Sequence, residues 1–301
     1  MNPVLKRTLC GLGVGALVIA LFLYLPLKVV PVVLLAFSTL VQLEFYQMAR
    51  KYEPVTWLGL LAGAVWLIVT AAAPGPVGFA GSMVALACGL VPLTFLLACL
   101  AMFSSRCKNP IGSVASTLFG FLYVPFLMSF FLRLVQLAPD PGTYFAMPDV
   151  RTGIYTLFAV IALAKLSDTG GFAFGVSFGK HKMCPSISPN KSWEGLAGSC
   201  VFASAALAGF YACARHFGWG DHFVLWNYLS WPLIVPMGIV FALLATAGDL
   251  IESRFKRECN IKDSATFMPA GMGGFLDMVD SILFMPALIY PFELYIYWVR
   301  G

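Results

Sequence analysis

The sequence predicts an all-α polytopic membrane protein with about nine transmembrane helices. Of its 301 residues, 60% are hydrophobic and only 11% are charged, whereas about 25% of the residues of a soluble domain are charged. Apolar segments long enough to cross a bilayer as a helix, roughly 17 to 25 residues, recur along the chain. The Lys and Arg residues between these segments fall mainly on one side of the predicted membrane, as expected of a multi-pass protein.

The apolar segments form two regions of different character. Residues 1–150 are predicted to be a five-span region with short loops, and residues 151–301 a four-span region interrupted by two long polar loops, 168–194 and 249–280. We expect the functional site in the second region. The predicted spans are, in chain order, about 8–26, 29–45, 56–73, 83–103, 111–135, 152–167, 195–213, 232–250 and 281–299. Glu44, near the inner end of the second span, is interpreted as an interfacial residue that reaches water.

The first span is not interpreted as a cleaved signal peptide, because its apolar core is long and no small-residue cleavage site follows it. Short loops rich in Lys and Arg stay in the cytoplasm, and with a cytoplasmic N-terminus 14 of the 19 Lys and Arg residues lie on that side. Both polar loops are then cytoplasmic. The net charge of +5 therefore reflects topology, and no basic stripe interleaved with aromatic residues indicates nucleic-acid binding. No C-x-x-C pair occurs, so neither disulfides nor zinc are expected.

The first polar loop, Asp168 to Glu194, combines glycines with positive charge. Its glycines permit close backbone approach, and Lys180, Lys182 and Lys191 lie around them. Ser192 stands where it could cap the seventh span, whose N-terminal amides would then face an anion. This combination indicates a polyphosphate site. The alternative is a re-entrant or amphipathic loop whose lysines only reflect topology, with His181 as a surface residue.

The second polar loop contains regularly spaced acids. Asp249, Glu252, Ser253 and Lys256 are spaced i, i+3, i+4 and i+7, so they share one helix face if the eighth span continues past the membrane. After the Gly-rich turn at 271–274, Asp277 and Asp280 again follow i and i+3 spacing. Such oxygen ligands suit a hard cation such as Mg²⁺, with substrate phosphates completing its coordination. The alternative is structural ion pairing.

Together the loops resemble the signature of the phosphatidate cytidylyltransferases, also called CDP-diacylglycerol synthases. The second block of that family runs roughly S-x-x-K-R, K-D-S, P-G-H-G-G and L-D-R-x-D. The matching residues here are Ser253, Lys256, Arg257, Lys262, Asp263, Ser264, Pro269, Gly271, Gly273, Gly274, Leu276, Asp277 and Asp280. The first block runs D-T-G-A-Y, G-R-x-F-G-K and S-P-K-K-T-x-E-G. It is matched by Asp168, Gly175, Phe178, Gly179, Lys180, Ser188, Pro189, Lys191, Ser192 and Glu194.

The chain departs from this signature at several positions. Met272 replaces histidine, Met278 and Val176 replace arginines, and Asn190 replaces a lysine; Ala270 resembles a one-residue insertion. These changes make the site less positive than the family pattern implies. All the carboxylates of the pattern are present, so we expect an active enzyme rather than a pseudoenzyme.

The resemblance implies an integral enzyme of the bacterial inner membrane that makes CDP-diacylglycerol and pyrophosphate from CTP and phosphatidate. It also implies Mg²⁺, with K⁺ as a candidate second cation, and a homodimer. The expected metal ligands are Asp277, Asp263, Asp280, Asp168 and Asp249. The expected catalytic residues are Asp277, Asp263, Lys262, Lys256, Arg257 and Lys191. The expected substrate-binding residues are Ser188, Lys191, Ser192, Ser253, Ser264, Gly271, Gly273 and Gly274.

An ion-coupled transporter is the alternative function from another class. Acids within a membrane protein often line ion pathways, and Asp168, Asp249, Asp277 and Asp280 could serve one. Against this, the acids cluster at one predicted membrane face and none falls in the middle of a span. A CDP-alcohol phosphatidyltransferase would need a D-x-x-D-G motif, which the sequence lacks.

Overall fold

A computed structural model describes residues 29–73, 75–103, 107–136, 150–216, 230–261 and 274–300. These residues are almost entirely helical, as predicted. The α-helices in this part of the chain are α1 Val30–Met48, α2 Thr56–Ala72, α3 Gly75–Phe103, α4 Pro110–Phe121, α5 Leu127–Val135, α6 Val150–Phe178, α7 Trp193–His216, α8 Trp231–Glu258, α9 Phe275–Val279 and α10 Met285–Arg300. A 3₁₀ turn, Ala49–Tyr52, extends α1, and a π-turn, Leu122–Phe126, joins α4 to α5 around Pro125.

Six helical segments of the described chain are long and apolar enough to cross a membrane. They are Val30–Tyr52, Gly78–Met102, Pro110–Val135, Thr156–Phe178, Trp193–His216 and Trp231–Glu258. Two further predicted spans are also helical but shorter, with 17 residues in α2 and 16 in α10. The first predicted span, 8–26, lies outside the described residues. The chain is thus an all-α membrane protein, and the count of nine spans stays a prediction.

The predicted polar loops are partly helical, which corrects their boundaries. Helix α6 continues through Asp168 to Phe178, so the irregular part of the first loop begins at Gly179. It then forms a short antiparallel hairpin of β1 Lys182–Cys184 and β2 Ser188–Ser192. Helix α8 runs on to Glu258, which meets the condition under which its regularly spaced acids share one face. The predicted boundaries follow the change from apolar to polar residues. A helix can continue past that change, because its backbone hydrogen bonds do not depend on apolar side chains.

Helices α6 and α7 pack closely through glycines of the segment in which the sequence predicts a polyphosphate site. A Cβ atom on Gly170 would lie 2.7 Å from the backbone oxygen of Gly198, and one on Gly171 would lie 2.4 Å from Oγ of Ser199. Small residues at such positions let two membrane helices approach each other closely. These glycines therefore serve helix packing. The result is a closely packed α6–α7 pair, and the hairpin between these two helices contacts α8.

Candidate active site

The C-terminal turns of α8 form one wall of the candidate site. As predicted, Asp249, Glu252, Ser253 and Lys256 lie on one helix face. Ser253 donates a hydrogen bond from Oγ to Oδ1 of Asp249 over 3.3 Å. Nζ of Lys256 lies 2.6 Å from Oε2 of Glu252, one turn earlier in the helix. The same Nζ lies 2.8 Å from Oδ1 of Asp277. Lys256 therefore joins α8 to α9.

Asp277 is held at the start of α9 from two directions. One carboxylate oxygen faces Lys256, and the other accepts a hydrogen bond from the backbone N–H of Gly274 over 2.8 Å. Burial acts to raise the pKa of Asp277. Hydrogen bonds with Glu252, Lys256 and the Gly274 N–H outweigh that effect and bring the pKa to about 2. Asp277 is thus a fixed anion at neutral pH.

Three acids form a compact oxygen cluster beside this pair. Asp249, Glu252 and Asp280 each place a carboxylate oxygen so that these atoms all lie within 4.8 Å of one another. Glu252 and Asp280 are buried, with relative exposures of 0% and 8%. Burial, and then the neighbouring Asp249 charge, raise the pKa of Asp280 to about 7. Buried carboxylates this close repel one another unless a proton or a cation lies between them, and an all-oxygen donor set suits a hard cation.

The cluster differs from the predicted metal site in its membership. Of the five predicted ligands, Asp249 and Asp280 belong to it. Glu252 also belongs to it, although it was not predicted as a ligand. Its spacing of three residues from Asp249 indicated that the two acids share a helix face. Asp277 is not one of the three acids, but it contacts Lys256 and forms a hydrogen bond with Glu252. Asp168 also lies outside the cluster: its Oδ2 is 3.8 Å from Nζ of Lys165 in α6.

Lys165 connects α6 to α9 and to the turn that follows it. Its Nζ donates to the backbone oxygen of Met278 over 3.3 Å and to Oγ of Ser281 over 3.2 Å. Its side chain is about half exposed, 48%. Sequence reasoning did not identify Lys165 as a residue of the site. It lies within the candidate span Thr156–Phe178, and a charged residue there was the available signal.

The hairpin brings the first predicted loop to α8. Nζ of Lys191 in β2 lies 2.6 Å from Oδ2 of Asp249, and Nε of Arg257 donates to the backbone oxygen of Ile187 over 3.3 Å. Ser188 lies half-buried at the start of β2. The prediction that both polar segments contribute to a single site is therefore consistent with their contacts.

Ser192 and His181 have local structural roles. Ser192 is buried, and its Oγ accepts a hydrogen bond from the N–H of Gly195 over 3.2 Å. This is the predicted cap of α7. His181 is exposed, and its Nδ1 lies 2.6 Å from Oε1 of Glu194. That contact fixes the start of the hairpin to α7, so His181 is a surface residue, as interpreted from the sequence.

Five predicted site residues lie outside the described residues: Lys262, Asp263, Ser264, Gly271 and Gly273. Two departures from the signature, Ala270 and Met272, lie there as well. Of the other departures from the signature, Val176 is exposed on α6 and Asn190 is exposed on β2, whereas Met278 packs against the core. None of these three contributes a charge to the cluster.

Glu44 was misinterpreted as an interfacial residue. Its side chain is fully buried, with a relative exposure of 0%, and its Oε2 accepts a hydrogen bond from the backbone N–H of Leu276 in α9 over 2.9 Å. A carboxylate inside a predicted span was the signal that sequence reasoning underrated. The partner could not be identified from sequence, because the two residues are 232 positions apart.

Comparison with known proteins shows that the similarity extends over most of the chain and is not confined to the two polar loops. The model of the Cytidylyltransferase family matches residues 5–296. A phosphatidate cytidylyltransferase of Mycobacterium bovis is 32% identical over 285 residues, covering 91% of this chain and 82% of that protein. One of Chlamydia muridarum is 33% identical over 184 residues, covering 60% of this chain and 55% of that protein. The transporter hypothesis gains no support from these similarities.

Proposed function

Because this chain belongs to the cytidylyltransferase family, we propose that it is a phosphatidate cytidylyltransferase. It makes CDP-diacylglycerol and pyrophosphate from CTP and phosphatidate, for phospholipid biosynthesis. The observation that best supports this is the junction of the hairpin with α8 and α9. There Lys191 and Lys256 lie against Asp249, Glu252 and Asp277 inside a bundle of membrane helices. Such a site can receive a charged nucleotide and a lipid together.

The reaction requires two anions to meet. A phosphate monoester has its second pKa at about 6, so phosphatidate is already an anionic nucleophile at neutral pH and needs no strong base. A phosphate oxygen of the lipid forms a bond to the α-phosphorus of CTP, the bond from that phosphorus to the bridging oxygen breaks, and pyrophosphate leaves. The main work of the protein is therefore positioning and neutralisation of charge.

The basic residues of the site suit this work. Lys191 and Lys256 are mostly buried, with side-chain exposures of 22% and 14%, and each already contacts a carboxylate. A charge that is partly removed from water interacts more strongly with a phosphate than an exposed one. Lys191, Lys256 and Arg257 offset charge on the attacking phosphate and the departing pyrophosphate. We include Lys262 in this proposed role on the basis of the family resemblance, because it lies outside the described residues.

The acidic cluster fits a divalent cation because its donors are all carboxylate oxygens with overlapping reach. Asp249, Glu252 and Asp280 would hold Mg²⁺, with Asp277 and Asp168 as neighbouring acids and K⁺ as a candidate second cation. Asp263, which lies outside the described residues, stays a predicted ligand. When bound, Mg²⁺ neutralises phosphate charge. The carboxylates keep one another in place through Ser253 and Lys256.

The membrane arrangement follows from the distribution of basic residues. We propose nine spans with the N-terminus and the active site in the cytoplasm, so that CTP arrives from water while phosphatidate enters laterally from the bilayer. A bacterial inner membrane and a homodimer complete the proposal. The dimer rests on the family resemblance alone.

A direct assay tests the function. Purified protein is given labelled CTP and phosphatidate with Mg²⁺, and lipid-soluble label is measured. We expect label in lipid with phosphatidate but not with diacylglycerol, and none when EDTA removes the cation. Label in lipid from diacylglycerol, or no transfer with any phosphatidate, would contradict the proposal.

A further inference from the structure

Glu44 lies in α1, within the N-terminal region for which the sequence predicted no part in the site. Its carboxylate accepts the backbone N–H of Leu276, and both side chains are fully buried. Burying a carboxylate in a helical bundle is costly unless the charge is compensated. A surface role would not need this burial. The contact therefore indicates a role connected with α9.

Helix α9 depends on its surroundings for its position. It has only five residues, Phe275–Val279, and a helix that short is not stable alone. Its first N–H groups have no partner within the helix. The carboxylate of Asp277 accepts a hydrogen bond from the N–H of Gly274, and the carboxylate of Glu44 accepts one from the N–H of Leu276. One acid of this pair thus belongs to the proposed site and the other supports it from α1.

Helix α1 also contacts both elements of the site through aromatic rings. The ring of Phe37 packs edge-on against that of Phe275 in α9, with centroids 5.9 Å apart. The ring of Phe45, next to Glu44, packs against Phe255 in α8 at 6.4 Å. Phe255 directly precedes Lys256. Through these contacts α1 fixes α9 relative to α8.

We propose that Glu44 is a positioning residue for cytidylyl transfer. By holding the first turn of α9, it keeps the Asp277 carboxylate within reach of Lys256. Glu44 itself touches neither substrate. The expected loss of kcat rests on the proposed function, whereas the expected effect of Glu44 on the position of α9 does not.

The kinetic test compares Glu44→Ala and Glu44→Gln with Gln42→Ala in purified full-length protein. Gln42 is a matched control, because it is also buried in α1 but bonds to Tyr46 and Gly59. We expect Glu44→Ala to lower kcat by about a hundredfold, the order that a small misplacement costs, with little change in KM for CTP. Glu44→Gln should retain most activity, because its amide oxygen still accepts the N–H. Gln42→Ala should lose thermal stability but keep kcat.

Equal losses of kcat in Glu44→Ala and Gln42→Ala would overturn the proposal, as would a Glu44→Gln enzyme as impaired as Glu44→Ala. Hydrogen exchange of peptides covering 275–279 gives a second readout that needs no activity. Exchange there should be faster in Glu44→Ala, or in Glu44→Asp if the alanine variant does not fold, than in Gln42→Ala. Unchanged exchange would refute the positioning role. An inactive wild type would instead refute the proposed function.

Discussion

Lys191 and Asp249 form an ion pair between the hairpin and α8, with Nζ 2.6 Å from Oδ2. The pair brings together two polar segments that are more than fifty residues apart in the chain. Asp249 also belongs to the acidic cluster with Glu252 and Asp280. The ammonium of Lys191 is therefore adjacent to the proposed cation site, where the phosphates of CTP would be bound.

Replacing Lys191 with Met should lower kcat/KM for CTP by about tenfold or more, because a hydrogen bond with a charged group contributes roughly 1.5 to 3 kcal/mol. Lys108→Met is the control, since Lys108 is exposed before α4 and is not among the residues that match the signature. Steady-state kinetics with varied CTP measures both. Equal effects of the two substitutions would show that Lys191 acts only through general surface charge.

Asp277→Asn should reduce transfer by at least about a hundredfold, the order expected when an electrostatic group of the site is removed. The substitution keeps the size of the side chain and its capping of Gly274, but removes the charge that faces Lys256. The folded protein should remain in the membrane. The measurements are the rate at saturating Mg²⁺ and the midpoint of thermal unfolding. A rate equal to that of the wild type would show that Asp277 is not a functional residue of the site.

Glu252→Gln should raise the Mg²⁺ concentration that gives half the maximal rate by about 10- to 100-fold. Glu252 belongs to the compact cluster, whereas Glu258 lies on the same helix and pairs with Lys51 outside it. Glu258→Gln is therefore the control. Measuring the rate of each variant over a range of Mg²⁺ concentrations distinguishes their effects. An unchanged curve for Glu252→Gln would show that the cation does not bind at Glu252.

Gly198→Ala should destabilise the packing of α6 against α7. Its Cβ would lie 2.5 Å from Cβ of Phe174 and 2.6 Å from the backbone oxygen of Gly170, so the helices must separate, at a cost of about 1 to 3 kcal/mol. Gly209→Ala in the same helix is the control, because nothing lies within 4 Å of its added Cβ. Thermal unfolding in detergent should show a lower midpoint only for Gly198→Ala. A midpoint equal to that of the control would contradict this account.

Met272→His should change kcat by less than about tenfold, roughly 1.4 kcal/mol, because the lipid phosphate is its own nucleophile. The rate should fall toward pH 5 as that phosphate, whose second pKa is about 6, and the carboxylates of the acidic cluster protonate. Burial raises the pKa of Asp280 in that cluster to about 7. Asp277, with a pKa of about 2, stays ionised throughout this range and does not cause the decline. A pH profile of kcat/KM for phosphatidate tests this. An inactive wild type that Met272→His restores would show that a histidine is required.

Local patterns predicted the parts of the site that lie on one element. The i, i+3 and i+7 spacing placed Asp249, Glu252 and Lys256 on one helix face, and Ser192 was recognised as a cap. The loop boundary at Asp168 was wrong because hydropathy marks where polarity begins, not where a helix ends. The contacts of Glu44 with Leu276 and of Lys191 with Asp249 were not predictable, since tertiary packing alone brings those residues together.

The fate of the phosphorus atoms of CTP tests the central claim most directly. Purified protein in phosphatidate-containing vesicles is given Mg²⁺ and CTP labelled at the α-phosphorus in one reaction and at the γ-phosphorus in another. The account predicts that the α-label enters lipid and that the γ-label appears in equal amount as water-soluble pyrophosphate, with Asp277→Asn producing neither. Transfer of the γ-label to lipid, or release of pyrophosphate without α-label in lipid, would contradict cytidylyl transfer.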